Sequence, residues 1–174
     1  DPKKFKISIV LILTEHVSII ALAIMLFIAF SPYNILLAVV WTISRSGEAL
    51  IQIYNKKSYW GLLGIARQYS ANNGAEENAL IDSSRGILKT KNSSFRYAQI
   101  LFSIGTLAYC ILFVTYGVVP AFIGWLGIIA CIPYGFGNGI ALVKPDFKAL
   151  WYFGGLLVLI FEIVLGGWLL LYPH

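Results

Sequence analysis

The sequence predicts an all-α fold, a polytopic transmembrane helical bundle of about five spans with a short amphipathic surface helix. Three observations carry that prediction. Hydrophobic residues make up 59% of the chain and charged residues 12%, whereas a soluble domain is about half apolar and about a quarter charged. The apolar residues fall in runs of about 20, the length that crosses a bilayer as a helix. The basic residues lie between those runs. A surface that faces lipid needs no charge, so the deficit of charge is the telling half of the composition. A length of 174 residues suits one domain over 1–174.

The first run is Ile7 to Phe30, preceded by Lys3, Lys4 and Lys6. It is too long for a signal peptide and has no small-residue cleavage site. Ser31-Pro32 breaks it, as proline suits a turn or a first helical turn. The second run, Tyr33 to Tyr54, stops at Asn55-Lys56-Lys57. These two spans, 7–30 and 33–54, form an antiparallel hairpin.

The polar surface segment 55–94 follows. Tyr59 to Ala66 is too short to span, so it lies in the interface or extends the second helix. Ala71-Asn72-Asn73-Gly74 reads as a turn. Glu76 to Lys89 reads as an amphipathic surface helix. Leu80, Ile81, Ile87 and Leu88 recur with a helical period, and acids precede bases as the helix dipole favours. Asn92-Ser93-Ser94 matches a glycosylation acceptor, a tripeptide too common to carry weight. The remaining spans are 95–116, 121–143 and 149–172. They are separated by the tight turn Gly117 to Pro120 and the polar turn Lys144 to Lys148.

Charge tests this layout. Of the 13 Lys and Arg residues, all but Arg45 fall at the amino terminus, in Asn55–Arg96, or in Lys144–Lys148. Five spans put those three segments on one side. The positive-inside rule makes that side cytoplasmic in a multi-pass protein of the cell membrane. The net charge of +5 does not point to nucleic acid, whose binders put basic residues on a soluble face, often with stacking aromatics. The expected partners are the lipid bilayer and other membrane subunits.

Five ionisable residues stand near the middle of their spans: Glu15 and His16, Arg45 and Glu48, and Glu162. Insertion scales charge about 2.5–3.5 kcal/mol for an acid or base at a helix centre. They are therefore expected to face one another or a hydrated cavity. Arg45 and Glu48 are three apart and share a helix face, which Trp41 and Gln52 extend. Gln99, Ser103, Thr106 and Cys110 form a second stripe. Asn138 sits beside Gly135 and Gly139, whose spacing lets helices approach closely. The intramembrane cluster is thus Glu15, His16, Arg45, Glu48, Gln52, Gln99, Asn138 and Glu162.

Four readings compete for this cluster. It is interhelical glue, a translocation or proton pathway, a small-molecule or lipid site with Glu15 or Glu48 as base and Arg45 gripping an anion, or a metal site. The metal reading is thin, because only His16 lies at depth and no ExxH pair accompanies it. Ser44 and Ser46 flank Arg45, yet no histidine shares their helix. Cys110 and Cys131 read as small packing residues without CxxC spacing. Gly135-Phe136-Gly137-Asn138-Gly139 is glycine-rich like a phosphate loop but lacks the preceding strand. No catalytic residue, metal or cofactor is assigned. The favoured reading is a non-catalytic binding or accessory component, a subunit of a larger membrane complex. The alternative is a small transporter or membrane-embedded enzyme acting on a small or lipidic substrate through the mid-membrane Glu/Arg/His cluster.

Three motifs occur in order: Arg45-Ser46-Gly47-Glu48; Val119-Pro120-Ala121-Phe122-Ile123-Gly124-Trp125-Leu126-Gly127 with Ile132-Pro133-Tyr134; and Phe161-Glu162 before Trp168-Leu169. With them the chain resembles the prokaryotic multi-pass membrane family catalogued as domain of unknown function four-three-eight-six. The resemblance implies the helical fold and the core residues, not a reaction. It also implies one more span upstream, which would reverse the charge-based orientation. Family members tend to carry basic residues beside the proline after the third span seen here; this chain has Tyr116, Gly117 and Ala121.

Overall fold

The computed structural model describes residues 2–71 and 77–171. Among them are five helices and no strand: α1 (Pro2–Phe30), α2 (Ile35–Ala71), α3 (Glu77–Tyr116), α4 (Ala121–Val143) and α5 (Ala149–Leu171). All five are long and apolar enough to cross a membrane. The chain is a multi-pass membrane protein with an all-α bundle.

Local chemistry sets the helix ends. After α1, the Tyr33 and Asn34 amides donate to the Phe30 carbonyl. Asn34 then caps α2, its Oδ1 accepting from the Leu37 N–H at 3.1 Å, so α2 begins two residues later than Tyr33. Gly117 takes a left-handed backbone, φ 63°, and closes α3. Pro120 precedes α4, whose bounds are those expected. The fifth span is likewise present, its last predicted residue, Tyr172, lying outside the described residues.

The polar segment differs from expectation. There is no separate surface helix over Glu76 to Lys89; its described part is the first half of α3. Tyr59 to Ala66 continues α2. Polarity changes at both expected boundaries, but a change of polarity does not stop a helix. Between Lys89 and Phe95 stands neither proline nor glycine, and these stop helices. Asn72-Asn73-Gly74 of the predicted turn lie outside the described residues. At 37 and 40 residues, α2 and α3 are about 56 and about 60 Å long. A hydrocarbon core is about 30 Å thick, so each is long enough to carry its polar half beyond the bilayer.

Each helix packs on its neighbours in sequence, α1 on α2, α2 on α3, α3 on α4 and α4 on α5. No comparable interface joins α1 to α5. The core lies mainly between α2, α3 and α4 and includes Trp41, Phe102, Tyr109 and Phe113, joined by Phe161 of α5 and by Phe30 at the end of α1. The α4–α5 crossing is close because two glycines oppose backbone. A Cβ on Gly137 would lie 2.6 Å from the Trp151 nitrogen, and one on Gly154 would run into Pro133 and Tyr134. These glycines, rather than the Gly135 and Gly139 pair, let the two helices touch. Gly135 faces Ser103 of α3, and a Cβ on Gly139 would meet open space.

Candidate functional site

Steps of four and three along α2 put Trp41, Arg45, Glu48, Gln52 and Asn55 on one face. All five are buried, so that face looks into the bundle. Arg45 Nη1 donates to Glu48 Oε2 at 2.6 Å. The guanidinium carbon lies 4.7 Å from the Phe102 ring centre and 5.4 Å from that of Trp41. Aromatic faces attract a cation and, unlike water, cost no side-chain freedom to arrange once packed. The pair is therefore held from two sides. Arg45 Nε and Trp41 Nε1 are buried without hydrogen-bond partners.

This pair borders a cavity of about 300 Å³ to which every helix contributes. Glu15 comes from α1, Arg45 and Glu48 from α2, Gln99 from α3, Tyr134 from α4 and Glu162 from α5. Tyr134 Oη donates to Gln99 Oε1 at 2.7 Å, tying α4 to α3 at the cavity wall. Glu15 and Glu162 belong to a different setting. The Glu15 side chain is 65% exposed, and Glu162 is exposed as well. They flank the side where α1 and α5 leave the bundle open. Three carboxyl groups and one guanidinium share this space, a set able to bind a cationic or hydrogen-bonding group but lacking a nucleophile with its base.

The other predicted residues lie elsewhere. His16 is buried, yet its Nδ1–H donates to the Ile12 carbonyl of its own helix at 2.7 Å, and it does not line the cavity. Glu15 Oε2 lies 4.0 Å from the same nitrogen, too far for a hydrogen bond. Asn138 Nδ2 donates to the Tyr134 carbonyl one turn back at 2.9 Å. Asn138 and Gln52 border a second cavity, of about 440 Å³, at the basic end of the bundle. In the α3 stripe, Gln99, Ser103, Thr106 and Cys110 are all buried, with Ser103 Oγ donating to the Gln99 carbonyl at 3.0 Å. Among the described residues no three His, Cys, Asp or Glu form a group suited to a metal ion.

Two site residues escaped the sequence reading. Tyr134 was noted only as part of a motif, because a tyrosine in an apolar run is indistinguishable from an interfacial anchor until its hydroxyl finds a partner. Asn55 was read as a stop signal. The signal that finds it was present: it continues the four-three stripe of Trp41, Arg45, Glu48 and Gln52 by one step.

A groove of about 740 Å³ lies between α3 and α4 and is almost wholly apolar, lined by residues such as Ile104, Phe136 and Ile140. It touches none of the eight cluster residues, and in a bilayer such a surface meets acyl chains.

A family model described as Domain of unknown function (DUF4386) matches residues 1–172. No curated protein and no solved structure matches the chain. The chain belongs to that family, the one its Arg45-to-Glu48 and Pro120-to-Gly127 motifs resemble.

Proposed function

We propose that this family member is a non-catalytic binding or accessory component of a larger membrane complex. A transmembrane helix of a partner subunit seats in the seam between α1 and α5. The carrying observation is the exposure of Glu15 and Glu162 on the two sides of one opening. Each acid facing hydrocarbon costs about 2.5–3.5 kcal/mol on insertion scales. A polar or basic residue on a seated helix would relieve both together. The wide exposure of α1 and α5 supports the same reading, as does the Arg45–Glu48 pair, whose charges already neutralise each other within the chain. The basic end of the bundle faces the cytoplasm in this proposal, as the loop charges favour.

A photoreactive residue at Ile19 or Leu159, both at the seam, tests the proposal in native membranes. The expected result is a cross-link to one defined polypeptide from both positions and none from Leu36, which is exposed on α2. Native mass spectrometry should show that polypeptide in fixed stoichiometry. A cross-linked second copy, or lipid adducts alone on a lone chain, would overturn it.

One observation favours a second reading. The cavity at the seam reaches the buried Glu48, which gives a small polar substrate a route to the Arg45–Glu48 pair. A transporter or membrane-embedded enzyme should lose activity on Glu48→Gln while remaining folded. An accessory subunit should keep its assembly.

A further inference from the structure

We infer that the cavity at the basic end of the bundle is a binding site for a phosphate group, carried by a lipid headgroup or free in solution. Four cations border it: Lys56 of α2, Lys91 and Arg96 of α3, and Lys148 just before α5. No carboxylate lines it. Among the described residues, none of the four is in an ion pair.

The positive-inside rule explains why cations stand at this end, but not why they converge. Cations placed only by topology are free to spread toward separate headgroups. Here two helices and a loop deliver them to one space of about 440 Å³. Lys91 Nζ lies 4.6 Å and Lys56 Nζ 5.6 Å from the same ring, that of Tyr59. Two like charges gathered at one ring repel each other, and an anion between them would offset that repulsion. The first turn of α5, with Trp151 and Tyr152 at the cavity, also brings the positive end of that helix's dipole to the rim.

The inner wall carries the second observation. Asn55 is 5% exposed, and its Nδ2 is buried with no hydrogen-bond partner. Buried donors are rarely left unpaired. An oxygen of a bound phosphate, with acceptor sites on every oxygen, would satisfy it. Arg96 supplies a planar fork suited to two phosphate oxygens, and the lysines supply point charges. The wall is completed by Trp151 and Tyr152, amphipathic rings that sit at headgroup depth. A phosphomonoester fits this set better than a carboxylate, because it offers more oxygens and more charge to four converging cations.

The test uses the whole chain with two probes: inorganic phosphate in detergent, followed by calorimetry, and phosphatidylcholine nanodiscs with and without phosphatidic acid, followed by native mass spectrometry. The expected result is saturable binding of at least one probe. Binding weakens about tenfold or more in Lys91→Gln/Arg96→Gln. It is unchanged in Lys57→Gln/Arg67→Gln, which removes two exposed cations that do not line the cavity. Retained phosphatidic acid without phosphate binding identifies the lipid headgroup as the source. Phosphate binding without lipid retention identifies a soluble phosphate. Asn55→Leu leaves the charge unaltered and should still weaken binding severalfold, with an unchanged melting temperature as the check on folding. Equal losses in the two double variants, or no binding of either probe to the unaltered chain, would overturn the inference.

Discussion

Two of the helices, α3 and α1, are both apolar enough to span a bilayer, yet they meet different surroundings. Of the most apolar stretch of α3, 61% is buried inside the protein; for α1 the share is 11%, and for α5 17%. The inner helices α2, α3 and α4 make a conventional core, while the outer pair lies along its margin. The same contrast divides the acids. Glu48 is paired with Arg45 between two aromatic rings, whereas Glu15 and Glu162 border one cavity from exposed helices. Depth in the membrane therefore does not decide whether a carboxyl group is satisfied. Position within the bundle does.

The largest expected effect lies at the inner pair. Arg45→Met or Glu48→Leu alone should destabilise the protein by about 3–5 kcal/mol, because each strands a buried charge. The double variant should recover most of that loss, read from thermal melting of the solubilised protein as a double-mutant cycle. Additive losses would break the contrast, since they would mean the pair is not coupled. Next is the α4–α5 crossing. Gly154→Ala forces a methyl group into the Tyr134 backbone and should cost about 1–3 kcal/mol. Gly166→Ala, with open space around it, should stay within about 0.5 kcal/mol of the parent.

Smaller effects sharpen the comparison. Tyr134→Phe leaves Gln99 Oε1 without its donor and should cost about 1 kcal/mol. Loss of fluorescence-detected melting cooperativity would show that this bond holds more than one helix contact. Glu15→Gln and Glu162→Gln should change the melting of the isolated chain by less than about 0.5 kcal/mol. A loss as large as that at Arg45 would mean that the margin is sealed in the isolated chain, and the division between inner and outer helices would fail.

Much of this fold was legible from residues. Ser31-Pro32, Gly117 to Pro120 and Lys144 to Lys148 mark three helix boundaries by chemistry that stops helices, and the structure follows them. The segment 55–94 was divided by polarity alone, and there the structure runs α2 and α3 straight through. Within the site, the Arg45–Glu48 contact follows from a separation of three on one helix. Where Glu15, His16 and Glu162 face depends on the rotation of one helix against another, which no spacing within a helix records. That is why His16, one residue from Glu15, turned out to bond its own backbone. Gln52 and Asn138 border the basic cavity instead, because each lies a turn beyond the residues around Glu48.

The contact of Gly154 with the backbone of α4 has a consequence for the opening eight residues further along α5. A helix separated from its neighbour by side chains can roll, as rotamers exchange around it. A helix seated backbone against backbone is keyed, and rolling it would lift the glycine out of its slot. Gly137 locks the same crossing from the other side. The bearing of Glu162 is thus fixed like a tooth on a keyed shaft, and the gap beside it keeps its width. Such a gap can be filled, but α5 cannot turn to shut it.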